Sequence, residues 1–156
     1  MRRDYFELEV HNVGSSGEDT SGKPTVVIDF HGPSDTLRER LTGLDGELLE
    51  AAETDAAFRL QGPDDDPETT GVVSLTNRTN GDFLLELNEE AGNVFDFVRS
   101  AREYAESVGE DDGKYRIEIN VDGELVTSYE KSMFLVYDEE GSLLRAKSLI
   151  PSGVEL

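Results

Sequence analysis

The first residues that could do chemistry are two imidazoles. His11 and His31 are the only histidines in the chain, and each stands among carboxylates at alternate positions, Glu7 and Glu9 before the first and Asp29 before the second. If the two segments pair as strands, His11, Asp29 and His31, joined by Glu9, could hold zinc or a similar ion with one coordination position left open. A polar outer sheet face accounts for the same residues, because a half-buried strand turns alternate side chains to solvent. Other chemistries lack their patterns. There is no cysteine, which excludes disulfides, thiol catalysis and thiolate-bound metals. No G-x-S-x-G elbow and no glycine-rich phosphate cradle occurs, and Gly14-Ser15-Ser16-Gly17 falls in a loop. Calcium-loop spacings also fail. Asp64-Asp65-Asp66 runs into Pro67, and a loop centred on Gly113 would put Val108 where a carboxylate is required. Paired acids are too common here for their proximity to mean acid–base catalysis. No cofactor is implied, and the balance leans away from an enzyme.

Charge is the next constraint. The 156 residues carry 35 Asp+Glu against 14 Lys+Arg, a formal net charge of −21. The acids are spread through nearly every segment, and only Lys23, Lys114, Lys131 and Lys147 are lysines. Such a surface repels itself, and dissolved ions shorten the reach of that repulsion from about 10 Å at 0.1 M salt to about 3 Å at 1 M. Dispersed acid with scarce lysine is the surface expected of halophilic adaptation. Nucleic acid is disfavoured as a partner, although Arg99, Arg102, Arg145 and Lys147 could form a local basic patch. No apolar run approaches the roughly 18 residues of a membrane span, and none follows Arg2-Arg3 as an export signal requires. The expectation is a soluble, cytoplasmic acidic protein.

The elements that must position these residues follow from periodicity. One domain over 1–156 is expected, with flexible loops at about 14–24 and 62–70. Alternation predicts strands at 1–13, 25–31, 55–61 and 115–121. A five-residue loop Asn77–Gly81 would set Leu75 opposite Phe83 and Val73 opposite Leu85. Asp122-Gly123 predicts a tight hairpin with Ile119 facing Val126, and a last hairpin would join Met133–Tyr137 to Leu143–Leu149. Leu37, Leu41 and Leu44 share one face of a predicted short helix, Thr36–Leu44. The longest predicted helix runs over 89–109, capped by Asn88 and ended by Gly109. The fold class is therefore α+β and β-rich, with antiparallel sheets and one long helix. The spacing of Asp111, Gly113, Tyr115 and Ile117 is similar to the E–F corner of immunoglobulin-like sandwiches, which sets that layout slightly ahead of others.

Phe97, Tyr104 and Val108 widen the apolar face of the long helix beyond one stripe and are candidates for contact with a partner or a second copy. Several segments taken together carry a resemblance: Met1-Arg2-Arg3-Asp4-Tyr5-Phe6, Ala57-Phe58-Arg59-Leu60-Gln61, Phe97–Tyr104, Tyr129-Glu130-Lys131, Leu135-Val136-Tyr137-Asp138 and Ser148–Leu156. Over nearly its whole length the chain resembles a haloarchaeal family of small acidic proteins classed as a domain of unknown function. The resemblance implies a salt-loving archaeal host and transfers no catalytic or binding residues. The leading expectation is a non-catalytic protein-interaction module with a protein partner or as a homodimer. The alternatives are a metal-binding protein or metal-dependent enzyme using His11, Asp29 and His31, and a nucleic-acid-associated protein.

Overall fold

Among the described residues, alternation of apolar and polar side chains is realised as eight strands in two four-stranded sheets. The computed structural model describes residues 6–11, 23–63, 65–66, 68–107, 109 and 115–151. The strands are β1 (Phe6–His11), β2 (Thr25–Phe30), β3 (Thr54–Leu60), β4 (Thr70–Asn77), β5 (Phe83–Glu90), β6 (Tyr115–Val121), β7 (Glu124–Lys131) and β8 (Leu135–Tyr137). Helix α1 spans Ser34–Arg40 and helix α2 spans Ala91–Ser107, with 3-10 turns at Ala51–Glu53 and Arg145–Lys147. One sheet has the order β1-β2-β6-β7 and the other β5-β4-β3-β8. Inward residues of both sheets join Leu37 and Leu41 of α1 and Val94, Phe97, Val98 and Ala101 of α2 in a single apolar core. The β-rich α+β class with one long helix is thus observed.

The sheets are mixed, however, where antiparallel ones were expected. β2 pairs in parallel with β6, and β3 with β8. Turn signals report only strands joined by hairpins, whereas a parallel pair needs a long crossover that leaves no local mark. The last predicted hairpin is also reduced. β8 is three residues long, and Leu143 and Leu149 meet it only through the isolated bridges Tyr137↔Leu143 and Phe134↔Leu149, with a 3-10 turn between them. The Tyr115 hydroxyl donates to the Met133 carbonyl at 2.6 Å, so it pins the β7–β8 link downstream of itself and not an upstream corner. Asp111 and Gly113 lie outside the described residues, as does most of the 14–24 loop.

Two bulges decide which side chains turn inward. In β4–β5, Thr76 pairs with Phe83 and Leu75 with Leu85, so Leu84 is an extra residue. The expected register is off by two positions at Leu75: Leu85 and Leu87 point into the core and Phe83 is left 52% exposed. In β6–β7 the Asp122-Gly123 turn forms as predicted, both residues with positive φ. Val121↔Glu124 and Asn120↔Leu125 follow, but then Ile119 pairs with Thr127, leaving Val126 as the bulged residue. Without that bulge Tyr129 would face outward beside Arg116. With it, Tyr129 pairs with Ile117 and Lys131 with Tyr115, and both side chains are buried.

The helices are shorter than predicted. Glu89 and Glu90 belong to β5, which runs straight into α2, so Asn88 is not a cap. Where the strand passes into the helix, Glu89 Oε1 accepts from the Glu90 amide and from Asn93 Nδ2. Helix α1 ends at Leu41, and the following chain turns back to form the bridge Thr42↔Leu48. Leu37 and Leu41 are fully buried, while Leu44, the expected third member of their stripe, is fully exposed.

Candidate functional site

A cleft of about 910 Å3 opens over β3, β4 and β8, lined among others by Asp55, Ala57, Ser74, Arg78, Lys131 and Tyr137. Its floor is low because Ala57 and Ser74, paired across β3 and β4, carry small side chains. The 3-10 turn Ala51–Glu53 closes one end. A capping box shapes that turn, with the Glu50 amide donating to Glu53 Oε1 at 2.9 Å.

Lys131 is the unusual residue of the cleft. Only 9% of it is exposed, and its ammonium donates to the Ala51 carbonyl at 2.8 Å and the Thr54 carbonyl at 2.6 Å. Burial, and then the charge of Arg78, hold the ammonium below the usual lysine range, an effect that Asp55 partly offsets. Arg78 donates from Nε and Nη2 to one oxygen of Asp55, at 3.0 and 2.6 Å. Glu130, the next cleft residue, accepts from Lys23 and from Arg116, and these two cations lower its carboxyl below the usual range. The charged lining of the cleft is thus two cations, Arg78 and Lys131, with two carboxylates, Asp55 and Glu130, in a chain whose charge is otherwise strongly negative. None of Lys131, Arg78 and Asp55 is among the candidate site residues that the sequence offers. Alternation alone misplaces Lys131, since its inward orientation depends on the Val126 bulge.

The histidines do not converge. His11 pairs with Thr25 at one end of β1–β2, and His31 follows Phe30 at the other end. Thr25 and His31 are six residue steps apart at about 3.4 Å each, so the two histidines stand about 20 Å apart along the strand. His11 Nε2 lies 3.7 Å from Glu9 and His31 Nε2 lies 3.5 Å from Glu7, while Asp29 accepts from Asn120 Nδ2 at 3.1 Å. Among the described residues no group of three or more histidines and acids could hold a metal ion. The His11/Asp29/His31 triad is corrected accordingly: an antiparallel partner carries the second histidine away from the first.

The four cations of the expected basic patch fall on α2 and the 3-10 turn beside it. Arg102 donates to the carbonyls of Ala146, at 3.1 Å, and Ser148. Lys147 Nζ stands 4.2 Å above the Phe95 ring, and Arg99 pairs with Asp96 one turn away at 3.0 Å. Arg145 is exposed in the same turn. Phe97, expected at a contact surface, is a core residue whose ring meets Tyr115 and Phe134 edge-on. Tyr104 is half-buried, and Val108 lies outside the described residues.

Among the described residues the large exposed apolar side chains lie elsewhere: Leu125 on β7, and Leu44, Leu48 and Phe83 about the end of α1. Leu44 is fully exposed, and Leu48 and Phe83 are partly so. Arg40 Nη1 donates to the Phe83 carbonyl at 3.4 Å, which ties the start of β5 to this helix end. No helix among the described residues is long and apolar enough to cross a membrane.

No curated protein and no solved structure matches the chain. A family model does, across residues 1–156, and on that full-length match the chain belongs to DUF5793, a family of unknown function.

Proposed function

We propose that this is a non-catalytic, salt-adapted interaction module, and that it associates with a second copy of itself through the end of α1. The exposure of Leu44 beside Leu48 and Phe83 carries this reading, because helix termination expels a leucine from a stripe whose other members are fully buried. Covering a large apolar side chain contributes about 1.5–3 kcal/mol. The rim suits a two-fold contact. Arg38 and Arg40 close α1, and Asp45 and Glu47 follow within the next turns. A two-fold axis through Leu44 would set each pair against its opposite on the other copy.

The net charge of −21 supports the salt adaptation, and the resemblance to haloarchaeal acidic proteins agrees with it. Two such chains repel, so association should strengthen as KCl rises. Sedimentation over a range of protein concentrations in dilute and molar KCl tests this. A dimer favoured by salt, and converted to monomer by Leu44→Asp with Phe83→Asp, is the expected result. A monomer at every salt and concentration overturns the reading.

A further inference from the structure

Between the two sheets, beside the edge strands β1 and β5, the apolar core is left open. Leu8 and Val10 of β1, Val26 of β2 and Val73 of β4 pack against the core, yet each is only half-buried. With buried Ile28 and Ile117 they line a cavity of about 50 Å3, more than the roughly 30 Å3 that one water takes in the liquid. A cavity with such walls holds water poorly and admits apolar molecules instead. Val10 pairs with Val26, and the chain linking their strands, residues 12–22, contains a single apolar side chain, Val13. Among the described residues Glu89 is the one charged member of the lining. Leu85, Leu87 and Glu89 alternate along β5 and share its inward face, so a carboxylate stands where the pattern calls for a third apolar side chain. Its Oε1 accepts from the Glu90 amide and from Asn93 Nδ2, both neutral donors. Among the described residues no cation pairs with it, and its Oε2 accepts no hydrogen bond.

We propose that this cavity binds a small aliphatic amine, its hydrocarbon chain lying between Leu8, Val10, Val26 and Val73 and its ammonium meeting Glu89. The walls select a hydrocarbon body by burial. A half-buried carboxylate served only by neutral donors selects a cationic head through a charge-assisted hydrogen bond. The net charge of −21 acts in the same direction, since the field of the whole chain gathers cations and repels anions. The site shares no residue with the surface proposed for self-association, so either can fail alone.

The test is an amide-resonance titration of the full chain with pentylamine near neutral pH, with methylamine and pentanol in parallel. About 1 M KCl confines diffuse attraction to the acidic surface within about 3 Å. Pentylamine should shift the amides of Val10, Val26, Val73 and Glu89 saturably. Methylamine, which lacks the chain, and pentanol, which lacks the charge, should each bind at least about fivefold more weakly. Glu89→Gln keeps an acceptor for the Glu90 amide and should weaken pentylamine about fivefold, as loss of a half-exposed ion pair does. Ala56→Val narrows the cavity from its β3 wall and should weaken binding about tenfold, and where that variant folds poorly Glu89→Gln decides alone. The proposal is overturned if pentylamine causes no saturable shift, or shifts only amides away from the cavity. Binding unchanged in Glu89→Gln overturns it as well, as does methylamine or pentanol binding as tightly as pentylamine.

Discussion

Lys131 and Lys147 show two ways of placing a cation against a folded chain. Lys131 lies beneath the 3-10 turn Ala51–Glu53 with its ammonium on two carbonyls, one of them on the fully buried residue Thr54. Lys147 lies over the Phe95 ring at the edge of α2, with its neighbour Arg102 on two carbonyls of the same turn. Both regions use positive charge to hold a short turn against a longer element. They differ in solvent. Water can replace the Lys147 contact at little cost, whereas removing the Lys131 ammonium strands the carbonyl of fully buried Thr54. Arg102 stands between the two, with one acceptor on exposed Ala146 and one on buried Ser148. A cation's energetic weight thus depends on the burial of its acceptors more than on the number of its contacts.

That difference can be broken at either end. The largest effect is expected from Lys131→Met, which keeps the stem and removes the ammonium. Two charge-assisted bonds are lost while the desolvation of one charge is relieved, so urea unfolding should show a loss of about 2–3 kcal/mol. Tyr115→Phe tests the support of the same region, since Tyr115 pairs with Lys131 and its hydroxyl holds Met133. Removing that buried bond should cost about 1–2 kcal/mol by the same measurement.

Tyr115 also makes a pH prediction. Burial lifts its hydroxyl well above the ordinary 10.0. The folded chain therefore retains this proton at pH values where the unfolded chain has lost it. The resulting stability is complete below pH 10 and declines as pH rises above it, so alkaline unfolding should be less steep in Tyr115→Phe.

In the α2 region the effects should be smaller. Arg102→Met removes a bond to the carbonyl of exposed Ala146 and one to the carbonyl of buried Ser148 and should cost about 1 kcal/mol. Lys147→Met loses only a cation over a ring, and about 0.5 kcal/mol is expected in thermal unfolding. Arg99→Ala, which breaks an exposed pair with Asp96, should be indistinguishable from the parent protein. If Lys147→Met proved as costly as Lys131→Met, the contrast in solvent access would be wrong.

The sites differ in how far they could be read in advance. The α2 cations were visible as a group, because helical spacing places Arg99 and Arg102 together and the helix itself is strongly periodic. The cleft was not. Asp55 and Lys131 come from β3 and β7 and Arg78 from the turn after β4, and the sheet pairing and the Val126 bulge that gather them carry no local signal. The histidines fail as a metal site for a related reason: their strands were read correctly, but the pairing separates them.

From residue order alone came the β-rich class, the long helix, the Asp122-Gly123 hairpin and the heavy negative charge, since each depends on neighbours within a few positions or on simple counting. Tertiary structure decided the two parallel pairs, both bulges, the exposure of Leu44 and the burial of Lys131. Those depend on which distant segments compete for one core, and a single extra residue in a strand reverses the inward and outward faces of everything beyond it.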